Sequence, residues 1–175
     1  MMAILSPINF QKWIDENKEF LKPPVNNRLV YKDTEFIIMV VGGPNSRKDY
    51  HYNEGEEFFY QVKGDIIVKI QDNGEAKEVP IREGEIFLLP PRVPHNPVRF
   101  KDTIGLVIER KRREDEKDGL LWFCETCNHK LYEEYFSLTD ITTQFQKVFE
   151  KFYNSLELRT CKACGCVLSP PPIIS

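Results

Sequence analysis

The 175-residue sequence predicts a mainly β fold: an antiparallel β barrel, one short helix ahead of it, and a small helical, metal-holding appendage behind it. Three observations carry that prediction. Between residues 28 and 111, short β-rich runs recur at near-regular spacing with turn residues between them, a rhythm that favours an antiparallel sandwich or barrel over a parallel sheet. Asp72-Asn73-Gly74 is a strong hairpin signal, because Asn and Gly tolerate the positive φ values a two-residue turn needs. Beyond a nearly all-charged stretch at residues 111–119, the texture changes to two Cys-x-x-Cys pairs flanking an amphipathic segment.

Taken in order, Ser6-Pro7 ahead of Ile8, Trp13 and Ile14 reads as a helix start, with Ser6 as N-cap and Pro7 at the first position, where a missing N–H costs nothing. The apolar runs at 36–41, 58–60, 66–70, 86–89 and 104–108 are the strands. The charged stretch ends in Gly119 and reads as a solvated strand end and linker, dividing the chain into a barrel with its helix, 1–111, and a C-terminal region, 112–175. From Ser137 to Leu156, the residues Ile141, Phe145, Val148, Phe149, Phe152 and Leu156 recur at helical spacing behind N-cap candidates between Ser137 and Asp140. That aromatic stripe reads as a packing face. The last residues, Pro170-Pro-Pro-Ile-Ile-Ser175, read as a tail laid over a neighbouring surface.

Hydrophobic residues make up 41% and charged residues 29%, the composition of an ordinary globular chain. A net charge of −3 gives no pull towards nucleic acid or an anionic membrane, and neither is expected as a partner. No apolar run approaches the roughly 18 residues that span a bilayer. The first residues lack a basic segment followed by a long apolar one, so no secretion signal is read and the cytoplasm is the expected location. Paired cysteines in that setting point to metal rather than disulfides.

Four of the five cysteines form Cys124-Glu-Thr-Cys127 and Cys161-Lys-Ala-Cys164, separated by 33 residues. A two-residue gap lets a tight knuckle aim both sulfurs at one ion, and Asn128 and Gly165 supply the left-handed backbone such knuckles need. Free thiols or a redox pair are the alternatives. Four thiolates leave no open position, so the expected role is structural, with Zn(II) as the default and iron fitting the same ligands. His129 and Cys166 lie beside this set and are left out of it.

The second candidate centre is of another kind. His51, Glu57 and His95 make two imidazoles and a carboxylate, a facial set that leaves positions open and suits non-haem Fe(II). A buried structural histidine is the bland alternative at each position. Stepping by twos from His51 reaches Asp49 and Arg47, and from His95 reaches Pro97 and Arg99. Alternate residues of extended chain share a face, so each histidine would bring an arginine onto the pocket side. Two guanidinium groups beside a metal suit an anionic substrate, most simply a carboxylate held bidentately; two surface arginines are the alternative. Glu109 puts an acceptor in an otherwise apolar run, which an amine on the substrate would satisfy.

The stretch from His51 through Asn53 and Glu57 to Gly64, with Gly84 to His95-Asn96 later, resembles the two motifs of the cupin superfamily, Asn53 standing where a second histidine is usual. With Asn27, Arg47, Asp49, Arg99 and Glu109 added, the chain resembles the 3-hydroxyanthranilate 3,4-dioxygenase family over nearly its whole length, from Asn-Phe-x-x-Trp-Ile at residues 9–14 to the cysteine pairs. Bacterial and fungal members of that family carry the four-cysteine site. The resemblance implies a cupin double-stranded β-helix barrel and Fe(II) held by His51, Glu57 and His95. It implies 3-hydroxyanthranilate and O2 as substrates, opened to 2-amino-3-carboxymuconate semialdehyde on the way to quinolinate and NAD. It places Arg47, Glu57, Arg99 and Glu109 at the substrate, Arg47 and Asn27 at O2, and Arg47, Asp49 and Glu109 in catalysis, in a homodimer. Another cupin oxygenase, an isomerase acting on a small carboxylic acid, and a non-catalytic ligand-binding module are the rival readings.

Overall fold

The computed structural model describes residues 4–139 and 141–172. Eleven strands form two antiparallel sheets. One holds β1 (Asn27–Leu29), β2 (Phe36–Gly42), β4 (Glu57–Lys63), β7 (Ile86–Leu89) and β9 (Ile104–Arg110), in the order β1-β2-β9-β4-β7. The other holds β3 (Tyr50–Tyr52), β5 (Ile66–Asp72), β6 (Glu75–Ile81), β8 (His95–Arg99), β10 (Asp118–Phe123) and β11 (Lys130–Phe136), in the order β11-β10-β3-β8-β5-β6. The fold is mainly β, with a helix at the N-terminus and helices near the C-terminus, as the sequence predicts.

The two sheets are held by alternation. In β4 and β9 every second residue is buried, and Phe59, Ile66, Val68, Ile81, Leu89 and Val107 close into one apolar core. The β5–β6 hairpin turns at Asn73 and Gly74, with φ of 52° and 84°, the two positive values that a turn twisting with its strands requires. A cluster of Ile14, Leu21 and Val40 ties the N-terminal helix to the outside of the first sheet.

The helix start differs from expectation. Helix α1 spans Phe10–Asn17, and its N-cap is Asn9, whose side chain accepts from the Lys12 N–H at 2.9 Å. Ser6 and Pro7 precede the helix. Asn9 takes the cap because it stands three residues ahead of the Lys12 amide, at the start of the turn that leads to the buried face.

The charged stretch is, as expected, a largely exposed connection, with Arg112 and Asp118 turned inwards. It leads into β10, which pairs with β3 and β11, so the region beyond residue 111 contributes two strands to the second sheet. Arg112 and Asp118 within it are buried against each other. Beyond, α2 (Ile141–Tyr153) packs its aromatic face on β10 through Trp122, Phe145, Val148 and Phe152, the Trp122 and Phe152 rings stacked 4.2 Å apart. The expected single helix to Leu156 breaks after Tyr153. Ser155 caps a separate short helix, α3 (Leu156–Arg159), by accepting from the Leu158 N–H, and Leu156 is exposed. The N-cap candidate Asp140 lies outside the described residues. The tail turns back on its own chain, Pro172 O accepting from Ser46 Oγ at 2.9 Å, while residues 173–175 lie outside the described residues.

Candidate metal centre and substrate cavity

His51 and His95 stand directly opposite each other on β3 and β8, and Glu57 opens β4 on the facing sheet. This is how residues 44 positions apart in the chain become neighbours: one cross-strand pair brings both rings to one face, 5.5 Å apart. One ligand atom from each of His51, Glu57 and His95 lies within 4.8 Å of the other two, so the three can hold one ion. Glu57 Oε2 sits 3.0 Å from His95 Nε2 without the geometry of a hydrogen bond, and it is a buried acceptor left without a partner. A buried carboxylate oxygen rarely stays unpaired, and a cation is the partner its position fits. Burial opposes the charge on Glu57, but the rings of His95 and His51 outweigh it and hold the carboxyl down to about 2.

These three residues line a cavity of about 210 Å³ with Asn27, Arg47, Asp49, Arg99 and Glu109, so every residue singled out for the open site faces one space. The cavity is smaller than the roughly 300–1,000 Å³ of drug-sized pockets and suits a single substituted ring. Met39, Val41, Pro97, Val107 and Phe145 supply its apolar walls. Phe145 arrives from α2 and lies 5.5 Å from the His51 ring.

The two arginines differ. Arg99 on β8 is 3% exposed, its Nη1 has no hydrogen-bond partner, and burial pulls its pKa down to about 10. Arg47 precedes β3 in irregular backbone and is half exposed. It pairs with the buried Asp49, Nε to Oδ1 at 3.0 Å, and lies over Phe145 and Phe149 at 5.6 and 5.4 Å. Asn27 sits at the exposed rim, its amide donating to Val25 O.

Glu109 is not the unsatisfied acceptor the sequence suggested. Asn53 donates to its Oε2 at 2.7 Å, and Arg112 Nη1 pairs with Oε1 at 2.9 Å. Arg112 in turn forks onto Asp118, Nε to Oδ1 at 2.9 Å and Nη2 to Oδ2 at 2.8 Å, and Asp118 meets His51 Nε2 at 2.6 Å. Burial and the charge of Glu57 both push the Glu109 pKa up, against the pull of Arg112. None of Asn53, Arg112 and Asp118 was singled out as a site residue. The available signal was Asn53 at a cupin ligand position and an arginine three residues past Glu109 in a stretch read as solvated.

The four cysteines form a second group. The ligand atoms of Cys124, Cys127, Cys161 and Cys164 all lie within 4.8 Å of one another. The two knuckles repeat one design: Asn128 N–H bonds Cys124 O and Gly165 N–H bonds Cys161 O, both at 2.9 Å, with φ of 59° and 76° at the turning residues. His129 and Cys166 contribute backbone carbonyls, each accepting from the first cysteine of its knuckle at 2.8 Å. Burial raises the Cys124 thiol, but the backbone N–H groups of Cys127 and Thr126 overcome it and favour the thiolate. A closed set of four sulfurs fits a structural ion.

Comparison with known proteins adds an independent line. The family model for 3-hydroxyanthranilic acid dioxygenase matches residues 2–153. A protein of Xanthomonas euvesicatoria named 3-hydroxyanthranilate 3,4-dioxygenase is 56% identical over 97% of this chain and 95% of its own. Proteins of the same name from Neurospora crassa and Bacillus cereus are 49% and 46% identical, over 95% and 96% of this chain and 93% and 94% of theirs. A cupin-2 domain containing protein from Shewanella frigidimarina superposes with a TM-score of 0.48 at 16% identity, over 59% of this chain and 94% of that one.

Proposed function

This chain belongs to the 3-hydroxyanthranilic acid dioxygenase family, and from that premise we propose that it opens the ring of 3-hydroxyanthranilate with O2, giving 2-amino-3-carboxymuconate semialdehyde. The observation that carries the reading is the cavity itself: an unpartnered buried carboxylate beside two imidazoles at one point, and an unpartnered buried guanidinium at another, across a space the size of one ring.

His51, Glu57 and His95 would hold Fe(II), which would supply the redox chemistry between the aminophenol and dioxygen. The rest is done by the chain. Arg99, with no protein anion paired to it among the described residues, takes the substrate carboxylate in a charge-assisted pair. Arg47, set by Asp49 and backed by Phe145 and Phe149, closes on the same group from the solvent side. Glu109, in the same cavity wall, faces the amino and hydroxyl end, where it accepts a proton from the ring substituents. Asn27, at the rim, is the expected contact for O2 together with Arg47. Val41, Val107 and Phe145 hold the ring and keep water from the ring-opened aldehyde.

Zn(II) or iron in the four-cysteine cage acts on this site only through packing. The cage closes a loop that includes α2, and α2 carries the Phe145 wall. We expect Cys161→Ser to lower the melting temperature by roughly 10 °C, since losing closure of a loop this long costs about 3–4 kcal/mol. It should raise KM more than it lowers iron content at the open site; a variant with unchanged melting temperature and KM would refute the role. Among the described residues no helix is long and apolar enough to cross a membrane. The proposal extends to a cytoplasmic homodimer, which sedimentation of the purified protein and cell fractionation check.

The test of the function is direct. Ferrous protein mixed with 3-hydroxyanthranilate without air, then given air, should consume one O2 per substrate as the near-ultraviolet band of the ring-opened aldehyde grows. Ligand binding without O2 uptake would favour a binding module or an isomerase and overturn the assignment.

A further inference from the structure

A buried ion chain runs from the end of β9 into the charged stretch, Glu109, Arg112, Asp118 and His51 in order with Asn53 closing the far end, and its Arg112 and Asp118 have no part in the reaction as proposed. Asp118 is 0% exposed, and the Arg112 and Glu109 side chains are only 10% and 9% exposed. Taking three charges out of water is costly, and one partner lost leaves the others stranded. Such a chain persists where it fixes a geometry. Arg112 has the fork needed: two nitrogens bind Asp118 side-on, and the third meets Glu109 Oε1. With Asn53 on Oε2, both oxygens of Glu109 are tied and its carboxyl plane cannot turn. Across the sheet Glu109 is the direct strand partner of Glu57. Two carboxylates set side by side in a buried cavity repel, and Arg112 is the cation that keeps Glu109 aimed at the space in front of Glu57 rather than swung away from it.

We propose that Arg112, anchored by Asp118, is the positioning residue of Glu109, and so decides that the cavity selects a ring bearing an amine or hydroxyl beside its carboxylate. Arg112 touches neither substrate nor metal in this account; it acts through Glu109. The proposal rests on the reading that Glu109 meets the amino and hydroxyl end of the substrate, so the test keeps the two apart.

Iron-loaded protein, kept free of air, is titrated with 3-hydroxyanthranilate and, separately, with benzoate, which offers the carboxylate but neither ring donor. In wild type both bind, the aminophenol more tightly; if it does not, the function is wrong and the inference falls with it. In Arg112→Met, brought to full iron occupancy because Asp118 also meets His51, we expect 3-hydroxyanthranilate to bind about 10-fold more weakly, the cost of a misaimed charge-assisted hydrogen bond, while benzoate affinity stays at the wild-type value. Arg112→Lys keeps the charge and the stem but cannot fork, so it should fold as wild type and recover only part of the loss. Unchanged 3-hydroxyanthranilate affinity in both variants would overturn the proposal. So would a parallel fall in benzoate affinity at full iron occupancy, because that pattern belongs to a collapsed cavity.

Discussion

A protein carrying Glu57→Gln is expected to fold, to lose its iron, and to lose ring-opening activity with it. The amide keeps the shape of the carboxyl but not its charge, and the charge is what the position is built around. Glu57 is 8% exposed, and its Oε2 has no hydrogen bond. In the metal-free protein the His95 and His51 rings favour that charge and hold the carboxyl down to about 2, so removing it should lower the stability of the apo protein somewhat. The iron-bound state should lose far more. Iron affinity should fall by more than the roughly 10–100-fold that follows loss of a residue merely orienting a ligand. The signature is thermal: ferrous iron raises the melting temperature of wild type by mass action and does not raise that of the variant. An iron-dependent shift of wild-type size together with full turnover would remove Glu57 from the metal centre.

The site was legible in the sequence to the extent that strand periodicity could place it. His51 and His95 fall opposite each other because β3 and β8 pair, and the steps of two from His95 to Arg99 follow the pleat of β8, while Asp49 lies just ahead of β3. The cysteine knuckles were legible for a different reason, since both their spacing and the left-handed residues after them are local. What escaped depends on long-range pairing. That Arg112 and Asp118 turn inwards is decided by β10 joining β3, which no window of sequence contains, so they looked like two more charges in a solvated run. Glu109 looked alone for the same reason. At the helix starts the error was smaller: Ser6 and Asn9 are both good caps, and the face that must be buried, with Ile14 against Val40, chooses between them.

Replacing Arg99 by methionine should weaken 3-hydroxyanthranilate binding and at the same time make the protein harder to melt. Both effects have one cause. Arg99 is a guanidinium buried in the cavity wall with Nη1 unpartnered, and burial alone accounts for a pKa pulled down to about 10. A buried charge without its partner is a cost to folding that well-packed apolar atoms of similar length do not carry. For a chain of this size about 1 kcal/mol corresponds to roughly 2–4 °C, so a rise of at least about 3 °C is expected in the ligand-free variant. The substrate carboxylate is the missing partner, and losing a charge-assisted bidentate pair should cost about 3 kcal/mol, or roughly 100-fold in affinity. The same variant should be almost indifferent to aminophenol without a carboxylate, whose binding never used the arginine. If Arg99→Met instead destabilises the ligand-free protein and leaves affinity for 3-hydroxyanthranilate untouched, then Arg99 is a structural residue, and the carboxylate is held elsewhere in the cavity, with Arg47 the first place to look.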